Sequence, residues 1–261
     1  RFKINLLNMR IIIISQNEPF FLKNNLKYLF SILPKNINVV GCVIDKASPF
    51  GKKESFFSKS IKTLNIFGLK FFIYYSLKFL FSKLFNKSVR QFIKSSGIEE
   101  IKLNSSVNST ESIEKIKSYK PDLIVSVLGR QIFKRKFINL APKGLINLHT
   151  ALLPKYRGLM PSFWVLKNNE KYTGVSVFFV DEGIDSGPII IQEKIEIGNM
   201  SQADLIKKSK KIGMEVIARA IKLIDNNNYQ TLENNNDEMT YFSFPTKEDV
   251  NHFKKIGKKF Y

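Results

Sequence analysis

His149 is one of only two histidines in the chain, and it ends a short apolar run, residues 145–148, that carries Asn147. If that run is extended, positions 147 and 149 project to the same side. An asparagine amide can donate a hydrogen bond to an oxygen gaining negative charge, and an imidazole beside it can give or take a proton near neutral pH. The pairing suits acyl transfer. A histidine standing alone in that place would read as a hydrogen-bonded structural residue, but His149 has company. Leu152-Leu153-Pro154-Lys155-Tyr156-Arg157-Gly158 follows it, and farther along Asp185-Ser186-Gly187 lies in a turn that can return a carboxylate to the ring. Asp181 and Glu182 are rival carboxylates, read more simply as a solvated loop. Gly183 and Gly187 bound the Asp185 turn and permit backbone conformations that other residues resist.

Taken together, Asn147-x-His149, Leu152-Leu153-Pro154-x-Tyr156-Arg157-Gly158, Thr173-Gly174-Val175 and Asp185-x-Gly187 resemble the folate-dependent formyltransferases. That family includes glycinamide ribonucleotide, methionyl-tRNA and amino-sugar formyltransferases. The resemblance is specific over residues 121–195 and looser over residues 9–120 and the tail. It implies transfer of a formyl group from 10-formyltetrahydrofolate to an amine. It also implies that Asn147 and protonated His149 stabilise the oxyanion, while Asp185 holds the imidazole or an ordered water that moves protons. By the same resemblance, the loop of Gly129, Arg130, Gln131 and Ile132 holds the pterin ring of the folate through backbone hydrogen bonds; a plain strand-to-helix turn is the other reading. The resemblance further implies that the loop of Tyr156 and Arg157 flanks the acceptor entrance, where Arg157 could grip a phosphate or carboxylate of the substrate. A surface charge on a Pro-Gly-bounded loop is the alternative.

Such a site needs strands that end beside one another, and the chain supplies candidates. Met9-Arg10 runs into four isoleucines, Ile11-Ile12-Ile13-Ile14, and reads as a natural start into the first strand, with residues 1–8 as an extension. A helix over residues 20–33 and a strand over residues 39–44 complete a β-α-β unit. A helix over residues 110–119 precedes Pro121-Asp122 and an apolar run, residues 123–127, suited to a strand buried on both faces. Strands over residues 173–180 and 188–195 flank the Asp185 loop. A helix capped by Ser201, with Asp204 in a capping-box position, extends to about residue 224. The expected fold is α/β: a Rossmann-like, doubly wound, mostly parallel sheet with an antiparallel edge excursion, a helical insert and a short C-terminal extension. The catalytic domain spans residues 9–225, with an aromatic and basic insert at residues 51–97, and residues 226–261 form a linker and extension.

Several chemistries are disfavoured. The turn after the first strand has no G-x-G-x-x-G and no P-loop, and no G-x-S-x-G surrounds Ser126. Two distant histidines and the single Cys42 leave structural zinc without ligands, so no metal site is expected, and one cysteine excludes an intramolecular disulfide. Cys42 and Trp164 read as core residues and His252 as exposed structure. No long uncharged apolar span occurs, so the chain reads as cytoplasmic, with peripheral contact at the inner membrane surface left open.

The charge and the insert bear on partners. There are 42 Lys plus Arg against 22 Asp plus Glu, a net +20. Such a field draws a protein toward RNA, an anionic membrane or a phosphorylated substrate. Richness in Lys, Asn, Ile and Phe is equally what a nucleotide bias of the genome would leave. Within the insert, Leu69, Ile73, Leu77, Leu80, Phe81 and Leu84 share one helical arc while the lysines are scattered. Packing of this hairpin against the domain is the expectation; the sharper reading lays it on a membrane surface or over an acceptor pocket.

The resemblance also ranks acceptors. Methionyl-tRNA formyltransferases carry a separate basic domain after the catalytic one, and only residues 226–261 follow here. The run Arg157-Gly158-Leu159-Met160-Pro161-Ser162-Phe163-Trp164 and the tail Phe242-Ser243-Phe244-Pro245-Thr246 resemble bacterial formyltransferases whose expected acceptor is an amino sugar, nucleotide- or lipid-linked. The alternatives are methionyl-tRNA, hydrolysis of the formyl donor, and a non-catalytic basic nucleic-acid- or membrane-binding protein on the same scaffold. Oligomeric state is open, a homodimer being one form.

Overall fold

Four consecutive β-branched isoleucines favour a strand and demand burial on both of its faces. The computed structural model, which describes residues 8–45, 55–85, 89–127 and 132–261, gives Ile11, Ile12, Ile13 and Ile14 that burial. They lie in β1 (Met9–Gln16), which is followed by α1 (Leu22–Ile32) and β2 (Ile37–Asp45). The insert contributes α2 (Phe56–Phe67), α3 (Leu69–Phe85) and α4 (Val89–Ser95). Next come α5 (Thr110–Lys117), β3 (Leu123–Ser126), α6 (Arg135–Ile138) and β4 (Leu145–His149). Beyond the histidine lie β5 (Arg157–Gly158), α7 (Pro161–Lys167), β6 (Tyr172–Phe179) and β7 (Ile189–Glu196). The chain closes with α8 (Gln202–Asp225), a 3-10 turn (Asn236–Glu238), β8 (Tyr241–Phe242) and α9 (Lys247–Lys255).

The main sheet has six strands in the order β2-β1-β3-β4-β6-β7. The first three pairings are parallel and the last two antiparallel. This is the Rossmann-like, doubly wound arrangement with an antiparallel edge that the pattern of runs predicts. Alternation along β1 divides the core. Ile11 and Ile13 pack with Leu22, Leu26 and Leu29 of α1 and with Met214, Ile217 and Ile221 of α8, whereas Ile12 and Ile14 pack with Ile116 of α5 and Phe137 of α6. Burial of each such side chain stabilises the fold by about 1.5–3 kcal/mol.

Helix α8 starts at a complete capping box between Ser201 and Asp204 and seats closely over β4. Gly213 makes that approach possible, since a Cβ there would come 2.6 Å from Leu148 Cδ2. Leu148 thus anchors β4 from the face opposite Asn147 and His149.

The insert forms a helical hairpin turned at Gly68, but it docks by a different face from the one expected. Phe67 stacks on Phe71 with centroids 4.4 Å apart, and both rings meet Phe260 edge-on. Lys254 Nζ donates to the Phe67 carbonyl at 2.7 Å, and Ser82 Oγ to the Pro19 carbonyl at 2.8 Å. The arc of Leu69, Ile73, Leu77, Leu80, Phe81 and Leu84 instead faces outward, with exposures of 48% at Ile73 to 76% at Leu84. Apolar residues surround α3 almost completely, so periodicity does not select a buried side; aromatic surface offered by the tail does. No helix of the described residues is long and apolar enough to cross a membrane.

The extension is joined to the rest by packing as well as by chain. β8 pairs with β5 in a small parallel sheet, and Phe253 stacks on Phe163 of α7. Trp164 is buried, stacks on Phe242 and donates its indole N–H to the Ser243 carbonyl. His252 is exposed on α9.

Cys42 sits in β2 with no exposed surface, and burial, with a smaller contribution from Glu100, pushes its thiol up to about 12. Its thiolate fraction at neutral pH is therefore roughly a thousandfold below that of a free cysteine. We predict that a thiol reagent leaves Cys42 unlabelled in the native protein and modifies it fully in denaturant, read by mass spectrometry. Rapid labelling of the folded chain would contradict this placement.

Candidate active site

β1 lies between β2 and β3, so the chain reverses its direction of winding there, and sheets of this kind bind ligands at the carboxyl ends of the strands beside such a point. Ile14, Ser126 and Asn147 are neighbours across β1, β3 and β4, and β4 ends two positions later at His149. Antiparallel β6 ends with Phe179 beside Ile146, and the turn that leads on into β7 carries Asp185 back to the ring.

The structure brings His149 and Asp185 together. The ring is buried, its Nε2 lies 2.7 Å from the Tyr156 carbonyl oxygen, and its Nδ1 lies 3.5 Å from Asp185 Oδ2. A carbonyl only accepts, so Nε2 carries a hydrogen; a second proton on Nδ1 has Asp185 as its acceptor. The same Asp185 oxygen accepts the backbone N–H of Gly158 at 2.9 Å. One carboxylate therefore orients both the imidazole and the loop that follows it.

Asn147 stands on the His149 side of β4, half-buried, and its side-chain oxygen is buried with no partner among the described residues. An unpartnered amide atom costs stability unless a ligand or water meets it. Asn147 is thus placed to bind a polar group beside the imidazole. Asp181 accepts from Ser186 Oγ at 2.6 Å and from the Gly183 N–H at 3.0 Å, and Glu182 pairs with Arg135 at 2.7 Å. Those two carboxylates are engaged away from the ring.

The loop carrying the expected substrate contacts is wound tightly. Tyr156, Gly158, Met160 and Asp185 all have positive φ, at 59°, 94°, 52° and 50°. Left-handed geometry at a non-glycine residue costs about 1–3 kcal/mol and persists only where surrounding contacts enforce it. At Gly158 the constraint is also steric, because a Cβ would run into the Phe242 carbonyl.

Tyr156 and Arg157 differ from the expectation of substrate-gripping side chains. Tyr156 contributes its carbonyl to His149, while its ring stacks on Phe242 and its hydroxyl donates to Glu170 at 2.6 Å. Burial first, and then the Glu170 hydrogen bond, push that phenol up to about 12, so it remains a donor at neutral pH. Arg157 is only 4% exposed. Its guanidinium donates to Asn236 Oδ1 at 2.7 Å, to Asn234 Oδ1 at 2.8 Å and to the Asn234 carbonyl at 3.1 Å. Burial lowers its pKa, opposed by the Asp185 and Asp181 carboxylates, and the group stays cationic. A flexible surface arginine could reach a ligand phosphate; this one is committed to the tail.

Asn234 completes the brace by donating to the Asp185 carbonyl at 2.8 Å and to the Gly187 carbonyl at 2.9 Å. The Asn-rich stretch from Asp225 to Asp237, read from sequence as linker, thereby supplies part of the site. Thr240 adds two further links, accepting the Tyr156 N–H at its hydroxyl (2.8 Å) and the Arg157 N–H at its carbonyl (2.9 Å). Nothing in the spacing distinguishes Asn234 from the other asparagines nearby.

Of the residues assigned to the folate ring, Gly129, Arg130 and Gln131 lie outside the described residues. Ile132 is exposed, and its carbonyl accepts from Asn108 Nδ2 at 2.8 Å while Asn108 Oδ1 accepts the Lys134 N–H at 2.8 Å. Asn108 thus ties Ile132 to Lys134. Among the described residues, no group of three or more His, Cys, Asp and Glu is arranged to hold a metal ion.

The formyl transferase family profile matches residues 82–221, more than half of the chain. A methionyl-tRNA formyltransferase of Kosmotoga olearia is 37% identical over 169 residues, covering 64% of this chain and 54% of that protein. The chain spans about half the length of the curated relatives it matches. An N-formyltransferase of Helicobacter canadensis, solved with folinic acid and dTDP-3-aminofucose, superposes with a TM-score of 0.58 at 21% identity. The superposition covers 96% of this chain and 83% of that one. Glycinamide ribonucleotide transformylase 1 of Symbiobacterium toebii superposes with a TM-score of 0.60 at 18% identity, over 84% of this chain and 88% of that one. These solved structures share the fold, and the sequence match over the site carries the assignment: the chain belongs to the formyl transferase family.

Proposed function

We propose that this protein transfers a formyl group from 10-formyltetrahydrofolate to a primary amine on an amino sugar, nucleotide- or lipid-linked. The observation that carries the reading is the buried His149 held between the Tyr156 carbonyl and Asp185, beside an Asn147 amide with an unpartnered atom. The folate supplies an activated formyl group, whose oxygen gains negative charge as the amine attacks its carbon. Asn147 donates a hydrogen bond to that oxygen from its Nδ2, and His149, when protonated at both nitrogens, sets its positive charge beside it. Asp185 keeps the ring oriented and takes part in moving the proton from the incoming amine toward the departing folate nitrogen. Arg157 acts from behind, bracing the Asp185 turn through Asn234.

The donor assignment draws on family membership and on neighbours solved with folinic acid or 5-N-formyl-THF. The amino-sugar acceptor is supported by sugar N-formyltransferases that superpose over 96% and 97% of this chain, which takes in the C-terminal extension. A second reading, methionyl-tRNA as acceptor, is favoured by the curated sequence relatives and by the +20 charge.

Single-turnover assays with 10-formyltetrahydrofolate and a panel of nucleotide-linked amino sugars and methionyl-tRNA separate these readings. Formyl transfer to one amino sugar is expected, falling about 100- to 1,000-fold in Asn147→Ala, in line with loss of one oxyanion donor. His149→Ala and Asp185→Ala should fall at least as far while still binding the folate. Transfer to methionyl-tRNA alone would reverse the acceptor assignment, and no folate binding at all would remove the catalytic reading.

The brace makes a separate prediction. Asn234→Ala leaves two carbonyls and the Arg157 guanidinium short of partners, so stability in chemical denaturation should drop by about 1–3 kcal/mol. The same variant should lower kcat more than it raises KM for the amine, because the Asp185 turn loosens without loss of a substrate contact. An unchanged denaturation midpoint would show that the extension does not brace the turn.

A further inference from the structure

We propose that the α2–α3 hairpin is a docking surface for an anionic lipid membrane, on which the protein lies without crossing it. The inference stands on these two helices and holds whichever amine is the acceptor. One stripe runs along α3 through Leu69, Ile73, Leu77, Leu80 and Leu84, all exposed, and a second lies on α2 at Phe57, Ile61 and Leu64, also exposed. The spacings of three and four residues keep each stripe on one side of its helix. An exposed apolar band of this length on a folded chain marks an interaction site. The inner side of the hairpin is already used, by Phe67 and Phe71 against the tail and by Lys78, whose Nζ lies 5.3 Å and 5.1 Å from the Phe20 and Phe21 ring centres. The outward stripes are therefore what the hairpin has left to offer a partner.

Charge selects the occupant. From residue 55 to residue 85 the chain carries Lys59, Lys62, Lys70 and Lys83 besides the inward Lys78, and no Asp or Glu. Apolar side chains beside basic ones match the boundary of an anionic bilayer, where headgroups meet the lysines and acyl chains receive the leucines. A second copy of this chain fits poorly, since a twofold interface would oppose one lysine set to the other. Nucleic acid would satisfy the lysines but leave the leucine stripe in water.

The test is co-sedimentation of the full chain with phosphatidylcholine vesicles and with vesicles containing phosphatidylglycerol, at low and high salt. Binding should be at least about tenfold tighter to the anionic vesicles and should weaken with salt, as several lysines near a charged surface imply. Leu77→Glu with Leu80→Glu should abolish binding, while Leu77→Ser with Leu84→Ser, a milder pair, should reduce it; thermal melting confirms that both variants fold. Absence of binding to anionic vesicles at low salt would overturn the proposal. So would binding indifferent to both variants, equal binding to phosphatidylcholine, or a concentration-dependent dimer in sedimentation velocity that the substitutions abolish without any vesicle binding.

Discussion

One carboxylate oxygen ties the candidate site together. Asp185 Oδ2 accepts the Gly158 N–H and faces His149 Nδ1, so the turn between β6 and β7 fixes both the ring and the loop that follows it. That loop in turn supplies the Tyr156 carbonyl to the other ring nitrogen. The imidazole is thus held at both nitrogens by groups from two loops, and neither loop could take its shape alone. Left-handed backbone at Tyr156 and Asp185 is unfavourable locally and is held by these shared hydrogen bonds.

Behind the carboxylate, a buried arginine is hydrogen-bonded by amide oxygens, with the Asp185 and Asp181 carboxylates supplying opposite charge. Arg157 spends three hydrogen bonds on Asn234 and Asn236, and Asn234 passes its two amide hydrogens to the carbonyls of Asp185 and Gly187. Such a buried polar network is rigid because breaking any one bond leaves a desolvated group. Its consequence is that residues 226–261 take part in the geometry of the site. The β5–β8 pairing and the stacking of Tyr156 and Trp164 on Phe242 hold the extension against it.

The insert shows how apolar surface is shared between folding and contact. Phe67 and Phe71 meet Phe260, and Ser82 reaches Pro19, so the hairpin is anchored by a narrow aromatic face and a few polar links. Its leucine stripe remains outward. A sheet-facing helix such as α8 has polar residues opposite its apolar ones; α3 has apolar residues nearly all round and lysines between them.

Much was legible in advance. The isoleucine run, the apolar strand at residues 123–127 and the Ser201 capping box specify their elements through local patterning, which depends on near neighbours in the chain and needs no knowledge of the fold. Asn147 and His149 are on one side of a strand because the period of a strand is two residues. Asp185 beside the ring follows from a turn bounded by glycines and from the family resemblance. Which of three nearby carboxylates reaches the histidine, that Arg157 is buried rather than offered to a ligand, and that one asparagine of an Asn-rich stretch braces the turn are matters of long-range pairing. The same is true of α3, where several faces are apolar and only the tail's aromatic surface chooses one. Sequence by itself determined the elements and the chemistry they carry, because these rest on residue type and short spacing; tertiary structure alone decided partners and exposure, because those depend on surfaces brought together from distant parts of the chain.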